Sequence, residues 1–323
     1  MSKVLITGGT GFIGSHLCEF FVEKGYNVVS FDRYNANYNL GNLENSKYKK
    51  DIEFIFGDIR DQDSVEKASK NVDNILHLAA LIAIPYSYIS PIAYIKTNIE
   101  GTYNVLETAK KFNIEQVIVT STSEVYGSAQ YLPMDEKHPL NAQSPYAASK
   151  IAADNLADSY HRSYELPVKI IRPFNTFGPR QSNRAVIPTI INQALFEKKI
   201  KLGNVYPKRD YVYVKDTVNA YYKVLKSRSF FGQVVNVGSG KNYSIKDIVG
   251  KILKITGNKK QIQKEKLRVR KKESEVDSLL ANNKFLKSKS NWQLKYSFEQ
   301  GLKKTIDWYM ENQPVTNTKD YIL

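Results

Sequence analysis

Short runs of β-branched and aliphatic residues recur along the first half of the chain, each followed by a longer stretch in which apolar positions return every three or four residues. VLIT at 4–7, NVVSF at 27–31, IEFIFG at 52–57, NILHL at 74–78 and QVIVTS at 116–121 predict strands, and residues 12–24 predict the first helix. Further helices are expected over 91–111 and 144–164, and PVKIIR at 167–172 predicts another buried strand. Strand and helix in alternation imply a doubly wound α/β architecture around a parallel sheet, because parallel neighbours need a crossover between them. The apolar region 75–95 is interrupted by His77, Pro85, Ser87, Ser90 and Pro91, so it reads as buried strand plus loop and not as a membrane span.

Beyond Asn175 the rhythm loosens into turns such as FGPR and YPKRD, shorter helical segments and a basic stretch at 259–272. Residues 1–175 are expected to form the sheet domain, with 209–240 returning to it through the strand-like VVNVGSG. Residues 176–323 are then mainly a smaller α/β substrate domain at the sheet's carboxyl edge, with a final helix over about 297–312.

With 323 residues and 42% apolar content the chain can bury a substantial core without staples. Its one cysteine, Cys18, excludes an intramolecular disulfide, and MSKVLITGG runs straight into a strand without a signal-peptide pattern. Both features lead to an expectation of a cytoplasmic protein. The balance of 47 basic and 32 acidic residues leaves a net charge of +15, which suits nucleic acid, a membrane surface or a phosphorylated small molecule. Many lysines fall in runs at 47–50, 198–201 and 259–272, where a solvated surface accounts for them. Neither nucleic acid nor a membrane is expected as a partner, and no metal site is expected.

GGTGFIG follows the first predicted strand and opens the first predicted helix, which spaces Gly8, Gly11 and Gly14 three residues apart. The first glycine permits a tight turn, the second lets backbone approach a diphosphate, and the third lets helix pack on strand. Asp32, at the end of the second strand, is placed to accept the ribose hydroxyls of a dinucleotide and would repel the extra phosphate of NADP. The expected cofactor is therefore NAD in a Rossmann domain, although Arg33 lies next to that carboxylate. Asp58 of GDIRD either meets the adenine or caps a helix.

Tyr146 and Lys150 of PYAASK stand four apart, on one face of a helix. An ammonium beside a phenol lowers the phenol's pKa, so that Tyr146 can take a proton from a sugar hydroxyl as hydride departs. TSTSEVYG brings Thr122, Ser123 and Glu124 to the carboxyl edge of the sheet, where open α/β folds bind ligands. Thr122 can share the hydroxyl with Tyr146, and a carboxylate one step along the sugar can remove a proton from carbon acidified by a neighbouring ketone.

Through GGTGFIG, GDIRD, HLAA, TNIEGTYNVLE, TSTSEVYG, PYAASK, RPFNTFGPR, RDYVYVKD and NVGSG the chain resembles the extended short-chain dehydrogenase/reductases over nearly its whole length. Thr-Ser-Glu at 122–124 resembles nucleotide-sugar 4,6-dehydratases of the GDP-mannose type and UDP-glucuronate decarboxylases, whereas PYAASK is nearer the dehydratases. ALIAIPYSY, RQSNRAVIPTII and SEV are similar to dehydratases of legionaminic-acid pathways, some acting on nucleotide-linked N-acetylglucosamine.

The resemblance implies that Gly8, Gly11, Phe12, Ile13, Gly14, Asp32, Arg33, Asp58, Ile59, Leu78, Ala79, Ala80, Asn98, Tyr146 and Lys150 hold NAD. It implies Asn175, Arg184, Arg209 and Arg270 on the substrate side, where guanidinium groups suit a diphosphate. It also implies a homodimer paired through the helices at 91–111 and 144–164. In the implied reaction Tyr146, with Thr122 and Lys150, deprotonates the C4 hydroxyl, and Glu124 removes the C5 proton. Ser123 or protonated Glu124 is the acid for loss of the C6 hydroxyl. The rival readings are a UDP-glucuronate decarboxylase or 4-epimerase on the same scaffold, and a non-catalytic NAD-binding regulatory module.

Overall fold

The alternating apolar runs become strands whose successive side chains enter two different layers, as a two-residue period requires. In the first strand Val4 and Ile6 join the core under helices Phe12–Glu23 and Val214–Lys226, while Leu5 joins Val105, Leu106 and Ala157 on the other face. The structure is a computed structural model that describes residues 1–269 and 272–312. The first strands are β1 (Lys3–Thr7), β2 (Asn27–Arg33), β3 (Ile52–Gly57), β4 (Asn74–His77), β5 (Gln116–Thr120) and β6 (Val168–Pro173). The later chain adds β7 (Asn175–Phe177), β8 (Ile200–Leu202), β9 (Lys208–Tyr213), β10 (Val234–Val237), β11 (Asn242–Ser244) and β12 (Ile262–Lys264).

Among the described residues, seven strands make one parallel sheet in the order β10-β6-β5-β4-β1-β2-β3. The winding reverses at β1, which pairs with β2 on one side and β4 on the other. A crevice therefore opens at the carboxyl ends of β1 and β4, where the crossovers leave in opposite directions. This is a Rossmann-type doubly wound α/β sheet. β7, β9 and β11 form a second small sheet, and β8 pairs with β12.

The two larger sheets are closely joined. β6 ends at Pro173 and β7 begins at Asn175, and the chain returns to the edge of the large sheet as β10 beside β6. The strand β9, at the start of the segment 209–240, pairs with β7 and β11 rather than with the large sheet. Asp210 on β9 is buried and fastens two distant loops: its carboxylate accepts from the amides of Ser239 at 2.7 Å, Gly240 at 2.9 Å and Ala281 at 3.1 Å.

The region 75–95 differs from the expected strand plus loop. After β4 it forms a short helix, Ile84–Ile89, started by Pro85 near its amino end. Ile82, Ile89 and Ile92 are exposed, so much of this apolar run covers a surface and not a core. The helix expected over 91–111 is three pieces: Pro91–Tyr94, a π-helical turn Ile95–Glu100, and Gly101–Lys111. Among the described residues no helix is long and apolar enough to cross a membrane.

Candidate active site

At the crevice the glycine turn leaves β1 with Gly8 at φ +73°, where a side chain would be strained and its Cβ would come within 3.1 Å of the Ala79 amide nitrogen. Gly11 precedes helix Phe12–Glu23 in extended conformation and offers no side-chain cap. The first amides of that helix, at Phe12, Ile13 and Gly14, are thus left for an anion, which a helix amino terminus attracts. Gly14 is where the helix presses on the turn: a Cβ there would lie 2.1 Å from the Gly8 carbonyl oxygen.

Asp32 ends β2 beside this turn. Its carboxylate accepts from the Thr10 amide at 3.0 Å, the Thr10 hydroxyl at 2.7 Å and the Ser30 hydroxyl at 2.5 Å. Burial pushes its pKa up, and these hydrogen bonds oppose the rise. An acceptor fixed at this point, next to an uncapped helix end and a turn with no room for side chains, suits the ribose and diphosphate of a dinucleotide. Arg33 is exposed beside it. Asp58 is neither a cap nor buried; its carboxylate takes Arg60 at 2.5–3.1 Å, and the cap of helix Gln62–Ala68 is Asp61, which accepts from Ser64 N.

The far wall of the crevice is organised by Thr7, a residue the sequence reading passed over. Its hydroxyl oxygen accepts from the amides of Leu78 and Ala79, each at 3.0 Å, so its proton goes to His77 Nδ1 at 2.9 Å. His77 Nε2 then donates to Thr102 at 3.1 Å, and Thr102 to the Asn98 carbonyl at 2.6 Å. Burial drives His77 down to about 3, so the ring is neutral. Ala80 lies half-buried in the loop that follows. Asn98, turned inward by the π-helical turn, grips Leu81 through both its amide and carbonyl and donates to Ser149 at 2.9 Å. Ile59 is buried against Gly101, and its carbonyl accepts from Asn104 at 3.0 Å.

Helix Pro145–Tyr164 is capped by Ser144, whose hydroxyl accepts from Ala147 N, and it buries Tyr146 and Lys150 on one face. Lys150 Nζ donates to the Thr120 carbonyl at 2.6 Å, at the end of β5. Two residues further, Thr122 caps the turn Ser123–Tyr126 by accepting from Glu124 N at 3.2 Å, and its side chain also hydrogen-bonds the Tyr146 phenol. Ser123 is buried, and Glu124 is half-buried close enough to bear on the phenol. Burial, with the Glu124 charge, pushes the phenol above its ordinary value, and its hydrogen bond with Thr122 opposes the rise. Burial lowers Lys150 itself to about 8.

Arg209 enters from β9. Its Nη1 donates to the carbonyls of Val276 at 2.6 Å and Lys208 at 3.0 Å, which aims Nε at Glu124 and Nη2 at Glu275. Asn175 opens β7, level with Tyr211 of β9. Arg184 is exposed on the loop before helix Val186–Phe196 and bears on Tyr94. Arg270 lies outside the described residues. A buried pair that the sequence did not disclose, Asp154 and Arg172, stands behind Lys150 with its nearest atoms 2.9 Å apart.

The pattern of GDP-mannose 4,6 dehydratase matches residues 5–305. A putative UDP-glucose 4-epimerase of Methanocaldococcus jannaschii is 33% identical over 315 residues, covering 96% of this chain and 99% of that protein. Human dTDP-D-glucose 4,6-dehydratase is 32% identical over 324 residues, covering 96% of this chain and 90% of that protein. Among solved structures, the dTDP-glucose 4,6-dehydratase DesIV from Streptomyces venezuelae, with NAD bound, superposes with a TM-score of 0.89 at 29% identity, covering 96% of this chain and 98% of that one.

Proposed function

The chain belongs to the GDP-mannose 4,6 dehydratase family, and we propose that it removes water from the hexose of a nucleotide-diphosphate sugar to give the 4-keto-6-deoxy product. The observation that carries this reading is Glu124 on the turn that also holds Thr122 beside Tyr146. Epimerase relatives at similar identity need only the oxidation at C4; a carboxylate next to the threonine supplies the further base that water loss requires.

NAD, when bound, supplies the acceptor for the C4 hydride and its return to C6. Gly8, Gly11, Gly14 and Asp32 hold it, and the Asp32 carboxylate favours NAD over NADP. Tyr146 takes the C4 hydroxyl proton, with Thr122 hydrogen-bonded to the same phenol. Only the phenolate can accept that proton; burial disfavours this form, and the ammonium of Lys150 on the same helix face favours it. Glu124 then removes the C5 proton, either Ser123 or the newly protonated Glu124 delivers a proton to the departing C6 oxygen, and C5 takes up a proton as the hydride returns to C6. Arg209, with Arg184 and Asn175, receives the diphosphate side of the substrate.

The enzyme pairs with a second copy through the helices at 91–111 and 144–164, the first of which carries exposed Ile92, Ile95 and Tyr103. It works in the cytoplasm, where the buried thiol of Cys18 stays reduced. The test is to incubate the protein with UDP-, GDP-, CDP- and dTDP-sugars, N-acetylglucosamine and glucuronate included, and follow product mass. Loss of water supports the proposal. Loss of carbon dioxide, or unchanged mass with inverted stereochemistry, replaces it by decarboxylase or epimerase.

A further inference from the structure

Tyr146, Lys150 and Asp154 follow one another at single-turn spacing and are all buried in helix Pro145–Tyr164. Each meets one of three consecutive residues at the end of β5. Lys150 Nζ donates to the Thr120 carbonyl at 2.6 Å, Ser121 Oγ donates to Asp154 Oδ2 at 2.8 Å, and Thr122 hydrogen-bonds the Tyr146 phenol. Arg172 on β6 donates to the same Asp154 oxygen through Nε at 3.0 Å and approaches it through Nη2 at 2.9 Å. It is itself held by Tyr126, whose hydroxyl accepts from Nη1 at 3.1 Å and donates to Asn236 at 2.7 Å. Asp154 Oδ1 is buried without a hydrogen-bond partner.

We propose that Asp154 is a positioning residue of this site: it locks the catalytic helix to the strand end bearing Thr122, Ser123 and Glu124, and its carboxylate keeps the buried Lys150 an ammonium. The lysine is faced by Asp154 from its own helix, by neutral His77 from β4 and by the Thr120 carbonyl from β5, and Tyr146 lies one turn before it on the same helix. Asp154 in turn faces Arg172 from β6, and Glu124 faces Tyr146. Burial pulls Lys150 down to about 8, and Asp154 opposes that pull. Without the carboxylate the lysine would lose its proton at a lower pH, and a neutral amine cannot stabilise the phenolate that takes the substrate's proton.

The inference rests on the dehydratase reading for its activity readout alone. In Asp154→Asn the side-chain shape is kept and the charge removed. The Lys150 titration is followed by 13C NMR of the lysine Cε in the NAD-bound protein, assigned with Lys150→Arg, alongside kcat and KM for water loss. The midpoint is expected to fall below about 8. The alkaline limb of kcat should move with it while KM holds, and Asp154→Glu should restore both. A midpoint that stays at 8 in Asp154→Asn overturns the electrostatic role. Ser121→Ala removes one tether and leaves the charge; it should lower kcat at an unchanged midpoint, and an unaltered kcat overturns the locking role even if Asp154→Asn does not fold. If wild-type protein turns over no nucleotide sugar, the dehydratase reading fails while the lysine titration still decides this one.

Discussion

Arg209 Nε lies 4.0 Å from Glu124 Oε1, so the guanidinium proposed for the substrate's diphosphate also faces the carboxylate proposed as base. Glu124→Gln keeps the size of that side chain and removes its basicity. Water loss should fall by roughly 10²–10⁴-fold, the usual share of a positioned general base. Bound NAD and the melting temperature should stay as they are. Rapid mixing with substrate should reveal reduced nicotinamide accumulating, because C4 oxidation precedes the blocked step. Dehydration at the wild-type rate would remove Glu124 from the mechanism.

Gly14→Ala tests the cofactor turn. The added carbon would stand 2.1 Å from the Gly8 carbonyl oxygen and 2.8 Å from Gly9 Cα, both backbone atoms that cannot swing aside. We expect a loss of about 1–3 kcal/mol of stability and purification without NAD, read from the absorbance of the cofactor released on denaturation.

Two histidines make stability depend on pH. Burial lowers His77 to about 3 and His16 to about 4, both from an ordinary 6.5. Between those values and 6.5 the unfolded chain binds protons that the fold refuses. Their stabilisation is whole above pH 6.5 and is lost as pH falls through the window, at about 1.4 kcal/mol per pH unit for each histidine. Asp32, Asp154, Asp210 and Asp216 are raised by burial and act in the opposite sense. The histidine share is therefore read as a difference: urea unfolding at pH 7 and pH 5 should separate less in His16→Gln than in wild type, and equal separation would contradict it.

The exposed apolar face predicts an assembly state. Ile92→Glu combined with Ile95→Glu places two charges among side chains that are 58% and 49% exposed in the single chain. Sedimentation equilibrium should find wild-type protein at twice the chain mass and the double variant at the chain mass, with unfolding of the separated chain little changed. Wild-type protein sedimenting as a single chain would end the dimer proposal.

The parts of this molecule legible in its sequence are those written in local spacing. Strand alternation places Leu5 opposite Val4 and Ile6, the three glycines follow a strand, and Tyr146 and Lys150 share a helix face because four residues make just over one turn. What was hidden depends on groups far apart in the chain. Asp154 and Arg172 meet only once β6 lies under the helix, and Thr7 reaches His77 only because β1 and β4 are neighbours. The burial that raises the Tyr146 phenol is hidden for a related reason: spacing says that an ammonium is near, whereas burial belongs to the folded whole. Asp58 reads as a cap in sequence, but in the fold it pairs with Arg60 and the cap is Asp61.

The π-helical turn Ile95–Glu100 makes residue count a structural variable in its own right. One residue beyond the α-helical number advances everything downstream by about 100°, the angular step of a helix position. That offset points Asn98 at the crevice wall while leaving Ile92 and Ile95 outside. Deleting a single residue from this turn would rotate Gly101–Lys111 against the segment before it, and would disconnect the inner wall from the outer face together. No substitution at any one position can do the same, so apart from Asn98 this stretch should accept changes of side chain far more readily than changes of length.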